Sequence, residues 1–290
     1  MPADISPHPW RDALLTACAP VIWGSTYIVT SEFLPPDRPF TAALIRALPA
    51  GLLLLLITRQ LPHRQHWWRL WVLSALNIGV FQALLFVAAY RLPGGLAAVL
   101  GAIQPLLVML LAWAVDRRAP GVVAVCCAAA GVFGMAVLLL SPQTVFEPIG
   151  MAAALLGAVS MATGVWLTRR WQIGLPVLSM TGWQLVLGGL MLAPVAWLAD
   201  APLPTLTGVQ WAAYAYLSGA GALVAYVLWF RGVARLPSVA VASLGLLSPL
   251  TAVVLGWALL SQSMTGASLL GLLVVLASVF GVQWASSRKP

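Results

Sequence analysis

The segment RLPGGLAAVLGAIQPLLVMLLAWA at residues 91–114 recurs at residues 235–258 as RLPSVAVASLGLLSPLTAVVLGWA, at an offset of 144 residues without a gap. Eleven of the 24 positions are identical. The shared leucines and alanines could reflect composition, whereas the shared Gly-x-x-x-Pro and the shared Trp-Ala are harder to explain that way. Because an internal repeat dictates the architecture, we interpret the chain as one unit built twice.

The composition of the chain excludes a soluble domain. Hydrophobic residues make up 61% and charged residues 8% of the chain, whereas a soluble domain has about 25% charged residues. The apolar residues form ten runs, each near the roughly 20 residues that cross about 30 Å of hydrocarbon as a helix. These runs span residues 13–30, 40–57, 71–90, 95–115, 122–140, 149–168, 178–198, 211–230, 239–259 and 267–284. Lipid-facing backbone must satisfy its own hydrogen bonds, so we predict an all-α integral membrane protein with ten transmembrane helices.

The lysines and arginines are distributed unevenly between the two sides of the predicted membrane. Twelve lie on the side of the N terminus, whereas only Arg38 and Arg91 lie on the opposite side, and Arg46 falls within the second helix. Cytoplasmic connections carry an excess of basic residues. We therefore predict a multi-pass protein of the cell inner (plasma) membrane with both termini in the cytoplasm.

The repeat extends beyond the fourth and ninth runs and defines two units. Further identities at the same offset are Trp67/Trp211, Leu73/Leu217, Ser74/Ser218 and Phe86/Phe230. The fifth and tenth runs align at an offset of 147 through a shared Val-Phe-Gly. We predict units at residues 1–142 and 143–290 with five helices each, and an odd number of helices inverts the second unit in the membrane. Inverted repeats are typical of secondary transporters, whose substrate sites lie near the midplane between the repeats.

The repeated motif also carries a family resemblance. Two five-helix units, with Arg-Leu-Pro, Gly-x-x-x-Pro and Trp-Ala in the fourth helix of each, resemble the drug/metabolite transporter superfamily, and each unit resembles an EamA-type domain. The opening segment, from WGSTY at residues 23–27 through residues 32–39 to Arg46, is similar to the bacterial aromatic amino-acid exporters of that superfamily. The resemblance implies a central cavity formed mainly by the first four helices of each unit. An acid often follows the fourth helix of each unit in the family; Asp116 fills that place in the first unit, but Leu260 stands there in the second.

Polar and aromatic residues inside the apolar runs are the candidate substrate ligands. Arg46 lies within the second helix, where a charge faces the interior or a water-filled cavity. Its guanidinium would fit a substrate carboxylate, or it would have a structural role and bond helix carbonyls. Aromatic rings could stack on an aromatic substrate, whereas polar groups in a membrane often serve only to hold helices together. The candidate substrate-binding residues are Trp23, Ser25, Thr26, Arg46, Asn77, Phe81, Gln82, Gln104, Trp166, Gln184, Tyr226 and Ser248, and Tyr27 is a further candidate ring.

Each unit carries a proline in the middle of its fourth helix. Pro105 and Pro249 cannot donate to the carbonyls of Gly101 and Gly245, so the helix kinks at these positions. A glycine there lets another helix or a ligand approach closely. We predict that these four residues form hinges with a polar lining, or else fixed kinks that shape the bundle. Gly/Pro interruptions at corresponding positions of the two halves are the best sequence indicator of a transport site.

Residues that could support other chemistry do not occur in suitable patterns. The three cysteines lie within apolar runs, and we predict that they are small buried residues. No His/Cys/Asp/Glu cluster has the spacing of metal ligands, and no glycine-rich phosphate loop occurs, so we predict no metal, no cofactor and no nucleic-acid partner. The seven acids lie in tails, in loops or at the ends of runs. We therefore predict that no carboxylate or imidazole carries a coupling proton.

These observations favour a secondary transporter that exports small organic solutes by alternating access, with membrane lipid as its surroundings. The resemblance implies aromatic and other amino acids as substrates. A multidrug or other metabolite carrier of the same superfamily is the alternative within this class. A membrane-embedded enzyme would need a nucleophile with a base, a metal cluster or a carboxylate pair in the membrane, and the sequence offers none. A scaffold or receptor does not require an inverted duplication, so this feature argues against that class of protein.

Overall fold

The computed structural model describes residues 8–92, 94–140, 147–260 and 266–287, apart from the side chains of Tyr27 and Ser31 and of residues 89–90 and 94–97. Ten of its helices are long and apolar enough to cross a membrane, as the sequence predicts. In chain order they are α1 (Pro9–Phe33), α2 (Pro39–Thr58), α3 (67–91), α4 (94–116), α5 (Val122–Leu139), α6 (Pro148–Trp171), α7 (Val177–Ala199), α8 (Gly208–Arg235), α9 (Ser238–Leu260) and α10 (Gly266–Ser287).

Two of the helices contain a π-helical segment, and the two segments begin at corresponding positions. In α3 the segment Ala75–Gly79 separates the α-helical stretches Trp67–Ser74 and Val80–Arg91. In α8 the segment Gly219–Val224 separates Gly208–Ser218 from the stretch that ends at Arg235. The two starting residues are 144 positions apart, so the repeat found in the sequence extends to the backbone geometry. Single π-helical turns inside α-helices occur frequently at functional sites.

The helix breaks predicted at the two prolines are confirmed. The fourth helix consists of Gly94–Gly101 and Gln104–Asp116, and the ninth of Ser238–Leu244 and Leu247–Leu260. A proline has no N–H to offer the carbonyl four residues earlier, and the carbonyl of Gly245 accepts from the Ser248 N–H at 3.1 Å instead. The expected close approach is not seen at Gly101. Apart from its chain neighbours and the backbone of its own helix, no described atom lies within 4 Å of the position that a Cβ would occupy there.

The contacts between helices follow a two-fold pattern that exchanges each helix with the one five positions away. In this pattern α2 packs along α7 and α5 along α10. The contacts of α1 with α8 and α9 correspond to those of α6 with α3 and α4. Glycines let a helix and its symmetry partner come close. The backbone nitrogen of Val186 in α7 lies 2.8 Å from the place of a Cβ on Gly51 in α2. Small residues at helix interfaces serve this purpose in membranes.

The outer surface of the bundle is apolar. Large hydrophobic side chains such as Leu56, Val122 and Trp197 are 68%, 78% and 86% exposed, respectively. A soluble monomer rarely exposes apolar area on this scale, so the solvent of this surface is lipid. Residues Pro9 and Ser287 line one small cavity. The start of α1 and the end of α10 therefore lie on the same face of the bundle, which we call the terminal face.

Candidate functional site

The backbone carbonyl of Gly221 lies at the centre of one polar cluster. This residue belongs to the π-helical segment of α8, and its oxygen accepts from Trp23 Nε1 of α1 at 2.9 Å and from Arg46 Nη2 of α2 at 3.0 Å. A Cβ at position 221 would lie 3.2 Å from the methyl group of Thr26. The absence of a side chain therefore lets α1 and α2 reach the carbonyl. The four residues Trp23, Arg46, Gly221 and Tyr226 form what we call the Gly221 site.

Aromatic rings enclose the Gly221 site on one side. Tyr226 is only 2% exposed, and its ring centroid lies 5.0 Å from that of Trp23. Trp229 packs against Trp23 at 5.2 Å. The Arg46 guanidinium carbon lies 5.9 Å from the centroid of the Tyr226 ring, within cation–π range. Arg46 Nε is buried without a hydrogen-bond partner among the described residues, so the guanidinium keeps unused donor capacity while it bonds a helix carbonyl.

Gln82 and Tyr226 form a direct hydrogen bond between the two units. Gln82 Nε2 donates to the Tyr226 hydroxyl at 2.8 Å, and the two residues are 3% and 2% exposed. They are 144 positions apart, which is the offset of the repeat. Residues that a two-fold axis exchanges can touch each other only if both lie beside that axis. The sequence predicts them as repeat partners, and the structure adds that they meet at the centre of the bundle.

A second polar cluster lies in the corresponding place of the first unit. Asn77, in the π-helical segment of α3, donates from Nδ2 to Gln184 Oε1 of α7 at 2.8 Å and to Thr168 Oγ1 of α6 at 3.2 Å. Asn77 and Gln184 are fully buried. Asn77 precedes Gly221 by the same 144 positions, and α6 and α7 correspond to α1 and α2. We call Asn77, Thr168 and Gln184 the Asn77 site; Thr168 is not among the residues predicted from the sequence.

The breaks in α4 and α9 approach each other near the Gly221 site. Gln104 Oε1 and the Trp229 ring each lie 3.8 Å from the place of a Cβ on Gly245. Neither Gln104 Nε2 nor Trp229 Nε1 has a hydrogen-bond partner among the described residues. The Ser248 carbonyl lies 2.5 Å from the place of a Cβ on Gly24, so α1 packs directly on the break. The two predicted interruptions thus meet at the centre, together with unpaired polar atoms.

Trp166 lies apart from these clusters. Its Nε1 donates to Asp116 Oδ2 at 2.7 Å, and Arg170 both pairs with Asp116 and lies over the Trp166 ring at 5.1 Å. These residues stand where α4 and α6 end, at the terminal face. The structure therefore does not bring Trp166 into contact with the other predicted aromatic residues, because its ring is held by an acid at the helix end.

Three further residues of the prediction have ordinary packing or rim positions. The Ser25 hydroxyl bonds the Tyr216 hydroxyl at 2.6 Å in an exposed position. Thr26 is buried and donates to the Trp23 carbonyl at 2.6 Å, and its methyl faces Gly221. Phe81 is partly buried and packs against the main hydrophobic core. The Tyr27 side chain lies outside the described residues.

Asp12 is an enclosed acid that the sequence places at the end of a run. It lies in the first turn of α1, is 2% exposed, and forms ion pairs with Arg231 and, at 3.6 Å, with Arg235 of α8. A buried carboxylate requires such partners because desolvation of a lone charge is costly. Asp12 is therefore the one buried acid among the described residues, and it lies at the terminal face.

The predicted burial of the cysteines is wrong. Cys18 and Cys126 are exposed and Cys127 is partly exposed. In a membrane protein the outer surface is as apolar as the core, so an apolar run does not distinguish the two environments. Within the part of the chain that the structure describes, no group of three or more His, Cys, Asp or Glu residues could hold a metal ion.

Comparison with known proteins supplies the family. The profile of the EamA-like transporter family matches residues 10–140 and again residues 148–284. Protein PecM of Dickeya dadantii (strain 3937) is 45% identical over 268 residues, covering 91% of this chain and 90% of PecM. The uncharacterized inner membrane transporter YedA of Escherichia coli (strain K12) is 30% identical over 271 residues, covering 89% and 86% of the two chains.

The fold has a counterpart among solved structures. A crystal structure superposes with a TM-score of 0.79 at 19% sequence identity and covers 96% of this chain and 98% of its own. At this identity the likeness concerns the fold alone. The family profile spans both five-helix halves, and the ten apolar helices agree with it. The chain therefore belongs to the EamA-like transporter family of the drug/metabolite transporter superfamily and is a multi-pass inner-membrane protein.

Proposed function

We propose that this transporter exports small solutes that carry both a carboxylate and an aromatic group, with aromatic amino acids as the first candidates. Membership of the family supports transport as the general function and points away from an enzyme. One observation supports the substrate class, namely the shared acceptor of Arg46 and Trp23 beside the Tyr226 ring. That arrangement combines donors suited to a carboxylate with rings suited to an aromatic side chain.

In this proposal the Gly221 carbonyl occupies the position of a substrate carboxylate oxygen. A carboxylate carries a full negative charge, so it attracts the guanidinium more strongly than the dipole of a neutral carbonyl does. A carboxylate would therefore replace the neutral carbonyl on the Arg46 guanidinium, which has an unused buried Nε for a second bond. The forked guanidinium can hold both carboxylate oxygens at once.

The same exchange would couple binding to movement of the two units. Trp23 and Arg46 belong to residues 1–142 and Gly221 to residues 143–290, so their bonds tie the proposed units together. A substrate that takes over these donors releases α8 from α1 and α2. A ligand shifts a conformational equilibrium only by its differential affinity for the two states, and here the released contact provides that difference.

The hinges of the proposed movement are the breaks at residues 101–105 and 245–249. Trp23, Tyr226 and Trp229 pack against one another in this conformation, so a substrate needs these rings to separate before it can enter. The broken helices have lost regular backbone bonds at matching positions, and bending there would open the centre alternately to each side. The distribution of arginines favours a cytoplasmic location of the terminal face. In this proposal, export carries the solute from that face to the opposite one.

The experiment is uptake of radiolabelled phenylalanine into liposomes that contain the purified protein, with no ion gradient imposed. We expect saturable uptake that unlabelled phenylalanine and tryptophan inhibit and that phenethylamine, which lacks the carboxylate, does not. Arg46→Ala should weaken apparent affinity about 10- to 100-fold, the equivalent of about 1.5–3 kcal/mol for a hydrogen bond to a charged group. Arg46→Lys should recover only part of it, because an ammonium lacks the fork.

The matched control is Arg59→Ala, which removes an exposed arginine at the end of the same helix. Its uptake should equal that of the unmodified protein. Equal inhibition by phenethylamine, or full uptake by Arg46→Ala, would contradict carboxylate recognition and favour the multidrug alternative. If uptake required an imposed proton gradient, that result would contradict the prediction that no carboxylate or imidazole carries a coupling proton and would direct attention to Asp12.

A further inference from the structure

A second group of arginines lies at the terminal face, away from the centre of the bundle. It consists of Arg69 at the start of α3, Arg118 in the α4–α5 connection and Arg169 near the end of α6, together with Trp68 and Trp171. The Arg69 guanidinium carbon lies 5.4 Å from the Trp68 ring centroid and 6.0 Å from that of Trp171. The two rings contact each other edge to face at 5.0 Å. We call these five residues the basic cluster.

The positive charges of the basic cluster have no balancing acid among the described residues. Arg118 lies near Arg169, because it follows Asp116 by two residues and Asp116 pairs with Arg170, the neighbour of Arg169. The acid Asp116, two residues before Arg118, is already bound by Arg170 and by an indole N–H. Arg169 Nη1 and Arg69 Nε are buried without a hydrogen-bond partner in the described part of the chain. A charged group that is shielded from water favours an opposite charge nearby, and these donors are available to an anion.

We propose that the basic cluster binds a phosphate group, supplied by the headgroup of an anionic phospholipid in the leaflet at the terminal face. Guanidinium groups match phosphate oxygens in a forked geometry. Basic pockets between transmembrane helices on the cytoplasmic side bind anionic headgroups, and tryptophans are enriched at headgroup depth. Trp68 is 56% exposed and offers an apolar surface for the lipid body beside the charges.

A bound headgroup would bridge the two proposed units. Arg69 and Arg118 come from residues 1–142, whereas Arg169 comes from residues 143–290. A phosphate held by guanidinium groups of both units would stabilise their contact at the terminal face. Anionic lipid would thereby raise the stability of this conformation, in contrast to a substrate carboxylate at Arg46, which separates the units in the centre.

The test is thermal unfolding of the full chain in neutral detergent with added lipid or soluble phosphate. The probes are phosphatidylglycerol, cardiolipin, phosphatidylcholine and glycerol phosphate. We expect phosphatidylglycerol and cardiolipin to raise Tm by several degrees with a saturable dependence on concentration, as for a ligand that binds only the folded state. Phosphatidylcholine should have no saturable effect. An equal response to glycerol phosphate would identify the phosphate alone as the ligand, whereas a response restricted to the lipids would identify the headgroup with its chains.

The variants are Arg169→Gln and Arg118→Gln, with Arg59→Gln as the control on the same face outside the cluster. The control should keep the full Tm shift, and each cluster variant should lose at least half of it. Arg118 lies in a connection between helices, so its variant tests the proposal even if Arg169→Gln fails to fold. Native mass spectrometry should find a retained anionic lipid on the control and less on Arg118→Gln. Equal Tm shifts in the control and in both cluster variants, or equal shifts with phosphatidylcholine, would overturn the proposal.

Discussion

The Gly221 site and the Asn77 site share a backbone arrangement but differ in chemistry. In both, a π-helical segment presents a polar group to the first two helices of the other unit. At the Gly221 site this group is a backbone carbonyl, which accepts from the Arg46 guanidinium and the Trp23 indole. At the Asn77 site it is a side-chain amide, which donates to the Gln184 amide oxygen and the Thr168 hydroxyl. The comparison teaches that the two sites share a scaffold while their side chains differ, and only the Gly221 site contains a charged side chain.

The largest effect we expect concerns the helix packing that supports the Asn77 site. Gly164 of α6 lies directly against the Asn77 amide, so the methyl of Gly164→Ala would overlap that side chain. Overpacking of this kind costs about 1–3 kcal/mol. We expect a Tm several degrees below that of the unmodified protein, measured by thermal unfolding in detergent.

The control for this prediction is Gly157→Ala on the same helix. A Cβ at Gly157 would lie 3.6 Å from Leu84, which is an ordinary contact distance. Its Tm should stay the same or rise, since alanine favours a helix over glycine by about 0.5–1 kcal/mol. An equal fall in Tm in both variants would mean that α6 tolerates an added methyl group at neither position. It would contradict the specific role that we assign to the contact with Asn77.

A smaller effect should follow from Tyr226→Phe, which tests the bond at the two-fold axis. The change keeps the ring beside Arg46 and removes the hydroxyl that accepts from Gln82. A net hydrogen bond contributes about 0.5–1.5 kcal/mol, so Tm should fall modestly. Apparent affinity for phenylalanine should change less than about threefold, because the ring and not the hydroxyl faces the proposed substrate. A loss of affinity as large as that of Arg46→Ala would show that the hydroxyl itself contacts substrate.

The smallest effect on transport should come from Asn77→Ala, which breaks the neutral site. Hydrogen bonds between transmembrane helices are worth about 0.6 kcal/mol on average, and this change removes the bonds to Gln184 and Thr168. We expect a modest fall in Tm, similar to that of Tyr226→Phe, and liposome uptake within about twofold of the unmodified protein. Uptake impaired as strongly as in Arg46→Ala would mean that both sites bind substrate and that the asymmetry described above is not functional.

Most of the fold follows from elementary properties of the sequence. Length and hydropathy give the ten helices, and the missing N–H of Pro105 and Pro249 gives the breaks in α4 and α9. Arg46 stands out because a charge in hydrocarbon needs an interior partner, and its partner is the Gly221 carbonyl. These features depend on the residue type alone, so a single sequence suffices to find them.

Other features depend on information that a residue type does not carry. The π-helical segments read ALNIG and GAGALV and share no signal that separates them from α-helix. Gly221 acts through its carbonyl, which every residue possesses. The exposure of Cys18 was missed because lipid and core are both apolar, and the position of Trp166 was missed because helical spacing does not reveal which acid will hold the ring. The sequence indicated the Asn77 site only through the polar residues Asn77 and Gln184 within apolar runs. Polarity alone does not show which residues bond each other.

The bond between Gln82 and Tyr226 bears on the ancestry of the chain. If two identical five-helix subunits once assembled around the same axis, each residue beside the axis faced its own copy, as glutamine against glutamine or tyrosine against tyrosine. An amide donor opposite a phenolic acceptor cannot arise in such a homodimer, since one mutation alters both sides together. It becomes accessible only when the two halves are encoded by separate copies that can mutate independently. This central contact therefore postdates the duplication, and so does any substrate preference that depends on it.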